Sequence, residues 1–159
     1  MSKLFATAGS KLYIGAAKAF AGTDLVAADF NAEAWTEIKG TTDLGSLGDS
    51  AQLITSDQVG SGRTRKLKGT RNAGSMQVVT DLDYSDAGQL ALVAAEKSKD
   101  SFAFRLVFND APTGGTPSER LFIAYVLSAA EQHGGANTVQ QLQSTLEIDS
   151  NIVRVSAAA

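Results

Sequence analysis

Most of this chain alternates apolar and polar side chains, and only one stretch has a helical period. In "KLYIGAAKAF", Leu12 and Ile14 fall on one side and Tyr13 on the other, as in a short half-buried strand. The small-residue run "AGTDLVAADFNAEA" reads as a surface loop. "WTEIKGTTDLGSLGD" then puts Ile38, Gly40, Thr42 and Leu44 on one face against Glu37, Lys39, Thr41 and Asp43, which predicts one strand with a wet side. "AQLITSDQ" and "SMQVVTDLDY" are further strands. At Ser85 the period changes: Leu90, Ala91 and Ala94, with Ala87 a turn earlier, predict one helix from Ser85 to about Lys97. Ser85 is its expected cap, with Asp86 in the favourable field of its first turn.

Beyond the helix, "SFAFRLVF" aligns Phe102, Phe104, Leu106 and Phe108 on one face, the pattern of a core strand. The turn-rich "NDAPTGGTPSE", which holds both prolines, joins it to "RLFIAYVLSAAEQ", and the two strands should pair as a long-tipped hairpin. The last strand sets Leu142, Ser144, Leu146 and Ile148 against Gln141, Gln143, Thr145, Glu147 and Asp149, so one of its faces is wholly polar. Strands, one helix and more strands predict a mainly β domain, an antiparallel sandwich or barrel with one flanking helix. The 159 residues, 43% of them hydrophobic, suit a single domain with a real core. No run approaches the roughly 20 apolar residues that cross a bilayer, and Met1 to Lys11 lacks the order of a secretory signal.

Between Gly60 and Ser75 neither period holds. "GSGRTRKLKGTRNAGS" carries Arg63, Arg65, Lys66, Lys68 and Arg71, five of the 14 Lys and Arg, and none of the 17 Asp and Glu. It reads as a long mobile loop, at about 57–74, on an otherwise acidic body. Such a cationic arm can dock on the anionic body of another copy or grip a nucleic acid.

Little in the chain supports catalysis. Absence of cysteine removes disulfides, thiolate nucleophiles and cysteine-held metals. Gly60 and Gly62 begin a dinucleotide fingerprint, but Arg65 stands where its third glycine belongs and no helix follows. "GDS" at Gly48 to Ser50 has the form of an esterase nucleophile block, yet His133 is the only available base. Asp81, Asp83 and Asp86 lack the glycine and distant glutamate of a calcium loop, and read as a strand end and helix start. Trp35 reads as a core or interface anchor. No cofactor or metal is expected.

Three features in order, the aromatic and isoleucine strand ending in "LG", the "D-x-G-Q" helix start at Asp86 to Gln89, and the polar-faced final strand after a glycine loop, resemble the major tail tube proteins of lambda-like phages with long non-contractile tails. The resemblance runs from about Lys11 to Val155. It implies one tail-tube domain over residues 1–159 with a short flexible tail, "SAAA". It also implies hexameric rings stacked into a tube that houses a tape measure protein and conducts DNA without sequence-specific binding. Tail terminator and tip proteins are the further implied partners, a virion tail assembled in the host cytoplasm the implied location, with no membrane and no catalysis. On this reading Arg63, Arg65, Lys66, Lys68 and Arg71 reach a neighbouring subunit or ring, and Gln141, Gln143, Thr145 and Glu147 face the bore. Tube proteins of type VI secretion systems share the implied fold and are one alternative. A nucleic-acid-binding barrel using the basic stretch is the other.

Overall fold

The computed structural model describes residues 3–159; Met1 and Ser2 lie outside it. Ten strands and one α-helix are present among the described residues: β1 (Lys11–Ala17), β2 (Thr36–Ile38), β3 (Thr41–Asp43), β4 (Ser50–Ser56), β5 (Arg65–Asn72), β6 (Ser75–Asp81), α1 (Ala87–Lys97), β7 (Phe102–Val107), β8 (Glu119–Gln132), β9 (Gln141–Ile148) and β10 (Val153–Val155). Eight strands form one antiparallel sheet in the order β2-β1-β7-β8-β9-β6-β3, with β10 alongside β8; β4 and β5 form a separate ribbon.

The two edge strands of that order, β2 and β3, are separated in sequence by Lys39 and Gly40 alone. A sheet whose opposite edges are joined by two residues must roll until those edges meet end to end. They do not hydrogen-bond to each other, so the barrel stays open. The expected single strand "WTEIKGTTDLGSLGD" is therefore two strands. Gly40 makes the break with φ of 76°, a conformation that side chains with a Cβ resist, and its carbonyl accepts the Asp81 N–H at 2.8 Å.

Inside the roll, β1, β2, β6, β7, β8 and β9 contribute the buried side chains of the core. Leu12, Ile14, Val78, Phe104, Phe122 and Leu146 are all nearly inaccessible. Phe104 and Phe122 are direct cross-strand partners and stack at 5.7 Å between centroids. Such a pair adds about 0.5–1.5 kcal/mol to what its burial contributes. Leu121 and Ile123 point the other way and are equally buried, because Phe30, Trp35 and Val153 cover that face. The phenylalanine strand, the hairpin after it and the inward set Leu142, Ser144, Leu146 and Ile148 follow the sequence pattern.

Helix α1 differs from the expectation in two respects. Asp86 is the cap, accepting the Gln89 N–H at 3.1 Å; Ser85 instead bonds to Asp83. The buried face is Gly88, Gln89, Leu92 and Ala95, while Leu90 is exposed. Gly88 sets this rotation: a Cβ there would collide with the Glu37 carbonyl and stand 2.6 Å from the Ile38 Cα, so only glycine lets the helix lie so close to β2. The expected flexible tail is also tied down, since Ala158 and Thr116 exchange backbone hydrogen bonds of 2.7 and 3.1 Å at the tip of the β7–β8 hairpin.

Candidate assembly surfaces

The basic stretch is not the long loop its composition predicts. Arg65–Asn72 is a strand that pairs antiparallel with β4, leaving only the turn between them irregular. Without a buried side, the stretch has no periodic apolar signal, which is why its pattern conceals the strand. Both strands are exposed almost throughout, and no residue of either is buried. Leu53 and Leu67 are 66% and 67% exposed.

The five basic residues do not form a single patch. Leu53 faces Lys68 and Thr55 faces Lys66, so both lysines share one side of the ribbon. Ile54 faces Leu67 and Ser56 faces Arg65 on the other side. Arg63 sits in the turn, where its backbone N–H donates to the Ser61 hydroxyl. Arg71 lies at the base and is already neutralised by Asp49, at 2.9 Å from Nη2. The other four form no ion pair among the described residues.

The second surface is the outer side of β6, β9 and the far half of β8. Gln141, Gln143, Thr145 and Glu147 lie there, half-buried, while the alternate residues fill the core. They are flanked on β6 by Gln77 and Val79, and on β8 by Tyr125, Ser128 and Ala130. Thr145 donates to Gln77 Oε1 at 3.1 Å. Neither β6, β9 nor residues 125–132 hold a Lys or Arg. β7 covers β8 only from Glu119 to Ala124, so the following eight residues, 125–132, pair with β9 on one side and have no strand on the other. An edge of that length is a template for another chain.

Gln89 is the polar residue that periodicity alone passes over. Fully buried, it donates through Nε2 to the carbonyls of Lys39 (3.0 Å) and Asp81 (2.8 Å), and accepts the Asp83 N–H at 2.9 Å. Asp86 accepts from Lys39 N at 3.1 Å in addition to its cap bond. Together they fasten the helix start to both edges of the rolled sheet, a structural role for the "D-x-G-Q" sequence. The signal was there: a cap residue followed three positions later by an amide side chain within an apolar run.

The chemistry considered from sequence is dispersed. Ser50 donates to the Asn72 carbonyl and Asp49 is held by Arg71 at the ribbon base, whereas His133 lies beyond the far end of β8, 3.2 Å from Glu131. Asp83 is held below the usual carboxylate range by hydrogen bonds from the Ser85 hydroxyl and N–H. Tyr84 donates to Glu131, which raises the phenol's pKa. No group of acidic or histidine side chains suited to a metal occurs among the described residues. No described helix is long and apolar enough to cross a membrane. Trp35 is half-buried in the second apolar cluster, stacked on Phe30 at 6.4 Å and beneath Arg105 at 5.4 Å.

This mainly β antiparallel fold with a single helix is shared with solved chains of phage tails and contractile injection systems. A chain of the extracellular contractile injection system PVC, solved in its sheath/tube terminator in the extended state, superposes with a TM-score of 0.70 at 10% identity, over 98% of this chain and 99% of that one. A chain of the anti-feeding prophage baseplate gives 0.67 at 14% identity, with 98% of each chain covered. The SPP1 tail tube gives 0.61 at 14% identity, over 92% of this chain and 76% of that one. These are parts of a phage tail and of injection machines. No protein-family model matches the sequence, and no curated protein matches it significantly.

Proposed function

We propose that this chain is the structural subunit of a phage tail tube, forming hexameric rings that stack into a hollow conduit for DNA, with a tape measure protein inside during assembly. Terminator and tip proteins would close its ends. The observation that carries the reading is the β4–β5 ribbon. A two-stranded ribbon is marginal by itself in water, and this one exposes Leu53, Ile54 and Leu67 beside unpaired cations. It becomes stable when a neighbour covers its apolar side chains and supplies carboxylates. Arg63, Arg65, Lys66 and Lys68 are then contact residues, and the open edge of β8 is where the sheet of an adjacent subunit would continue this one. The cation-free face with Gln141, Gln143, Thr145 and Glu147 would line the bore, where a wall without Lys or Arg lets a duplex slide.

A second reading, the inner tube of a contractile injection system, is favoured by the near-complete two-way coverage of the PVC and anti-feeding prophage chains. The two readings share ring and tube, and differ in cargo and in the presence of a sheath around the tube.

Negative-stain microscopy of the purified protein tests the shared part, with rings or hollow tubes as the expected result. Replacing Arg63, Arg65, Lys66 and Lys68 together by serine should leave the circular dichroism native and stop tube growth. High salt should reproduce part of the defect, because exposed charges are screened over about 10 Å at 0.1 M. Normal tube yield from that variant would make the arm dispensable. A gel shift of DNA at moderate salt that depended on the same four residues, in a protein that never forms rings, would favour the nucleic-acid-binding barrel.

A further inference from the structure

At the end of the roll opposite the helix start, Arg120 and Arg154 are direct partners across the β8–β10 ladder. Like charges placed opposite each other on one face destabilise a sheet. Neither arginine forms an ion pair among the described residues, and the Arg120 guanidinium is committed only to the Glu119 carbonyl and to the Phe108 ring, 4.6 Å away. Both border a cavity of about 190 Å³ whose other walls, among them Leu47, Met76, Leu106 and Phe108, are apolar. Burial and the nearby Arg154 lower the Arg120 pKa, and Asp110 only partly offsets them. This end therefore carries an excess of positive charge that Asp110 does not balance, beside a cavity with apolar walls.

The other end of the same strands holds the complement. Beyond Asp81, where β6 ends, Asp83 and Tyr84 form a corner at which the exposed tyrosine bonds to Glu131, with Asp81 alongside. Met76 and Asp81 stand at opposite ends of β6, about 17 Å apart at strand rise. The corner and the arginine pair thus cannot meet within one chain. We propose, resting on the tube reading above, that the Asp83–Tyr84–Glu131 corner of one copy docks on the Arg120–Arg154 mouth of a second copy, the carboxylates meeting the guanidinium groups and the ring covering the apolar cavity. The contact is heterologous, joining unlike surfaces at opposite ends of the roll, so along the tube axis it propagates head to tail and gives the stack a direction.

Charge exchange tests it. Arg154 and Glu131 are both exposed, so Arg154→Glu and Glu131→Arg should each keep native circular dichroism; Asp83→Arg is a third variant, less suitable alone because Asp83 also holds the Ser85 turn. Each single variant should form rings yet lower the sedimentable tube fraction about tenfold or more, since a like-charge contact strongly disfavours a complex. Arg154→Glu combined with Glu131→Arg should restore stacking. Singles that stack as well as wild type, or a double variant no better than its singles, would overturn the contact while leaving the tube reading intact. A wild-type protein that forms neither rings nor tubes would overturn both. Loss of DNA binding in Arg154→Glu with unchanged stacking would show that the pair serves phosphate and would also refute the contact.

Discussion

The β4–β5 ribbon and the β6–β9–β8 sheet are both antiparallel, and both present a polar surface, yet their charges and supports are opposite. β5 carries Arg65, Lys66, Lys68 and Arg71 within eight residues, while β6, β9 and residues 125–132 carry no cation. Every second residue of β9 is buried, but no residue of β4 is. The sheet is thus stabilised from within its own subunit. The ribbon has its ladder, the Arg71–Asp49 pair and the hydroxyl bonds of Ser50 to the Asn72 carbonyl and of Thr64 to Asp57, all within itself or at its base, and needs a second molecule to cover it. Strand pairing alone does not distinguish the two regions; what separates them is whether one side of the strand meets a core.

This contrast breaks first at the core. Phe122→Ala, on β8 and stacked on Phe104 of β7, should cost about 3–5 kcal/mol in urea unfolding, as large-to-small changes at sealed positions do. Leu67→Ala in the ribbon should change stability by less than about 0.5 kcal/mol. Comparable losses at the two sites would mean that the ribbon folds against the body.

Gln89→Leu comes next. The substitution keeps the volume buried but leaves the Lys39 and Asp81 carbonyls and the Asp83 N–H without their partner. A loss of at least about 2 kcal/mol is expected, because buried polar groups stripped of a bond retain their desolvation cost. Full stability in this variant would show that the seam is held by packing alone.

Hydrogen exchange gives a finer measure. In an isolated subunit the amides of 65–72 should exchange almost unprotected while those of β9 exchange only on global unfolding. In assembled tubes the ribbon amides should slow strongly. Equal protection of the ribbon in both forms would remove the argument that a neighbour orders it.

These differences also explain what the sequence made legible. The core strands were readable because Phe102, Phe104, Leu106 and Phe108, and then Leu142, Ser144, Leu146 and Ile148, repeat at period two against one buried layer. "AQLITSDQ" reads as a strand and is β4, whereas the β5 half of the ribbon reads as a loop because a strand exposed on both sides has no reason to alternate. The break at Gly40 is hidden because Ile38, Gly40, Thr42 and Leu44 keep the alternation across a bend that only the backbone φ reveals. The helix face was rotated by the contact of Gly88 with β2, a tertiary constraint that its own period cannot encode. The arginine pair became visible only when the ladder placed Arg120 opposite Arg154, 34 residues later in the chain.

The smallest structural effect belongs to the polar face, and it tests the assignment of that face to the bore. Gln143 and Glu147 point away from the core, as their buried neighbours Leu142, Ser144, Leu146 and Ile148 require. Changing both to lysine should leave urea stability within about 0.5 kcal/mol of the wild type, since surface substitutions rarely do more. Assembly should also persist, because neither residue belongs to the ribbon, the free edge of β8 or the arginine mouth. If the face lines the bore, each copy in a ring would then add two cations to a wall that had none, making it resemble the ribbon in charge. Phosphate contacts repeated along the tube would retard the duplex. Ejection should slow or stall, and added salt should relieve it, because each contact displaces counterions whose return becomes easier as salt rises. Particles with tubes of normal length that released DNA at the wild-type rate would place this face on the outside.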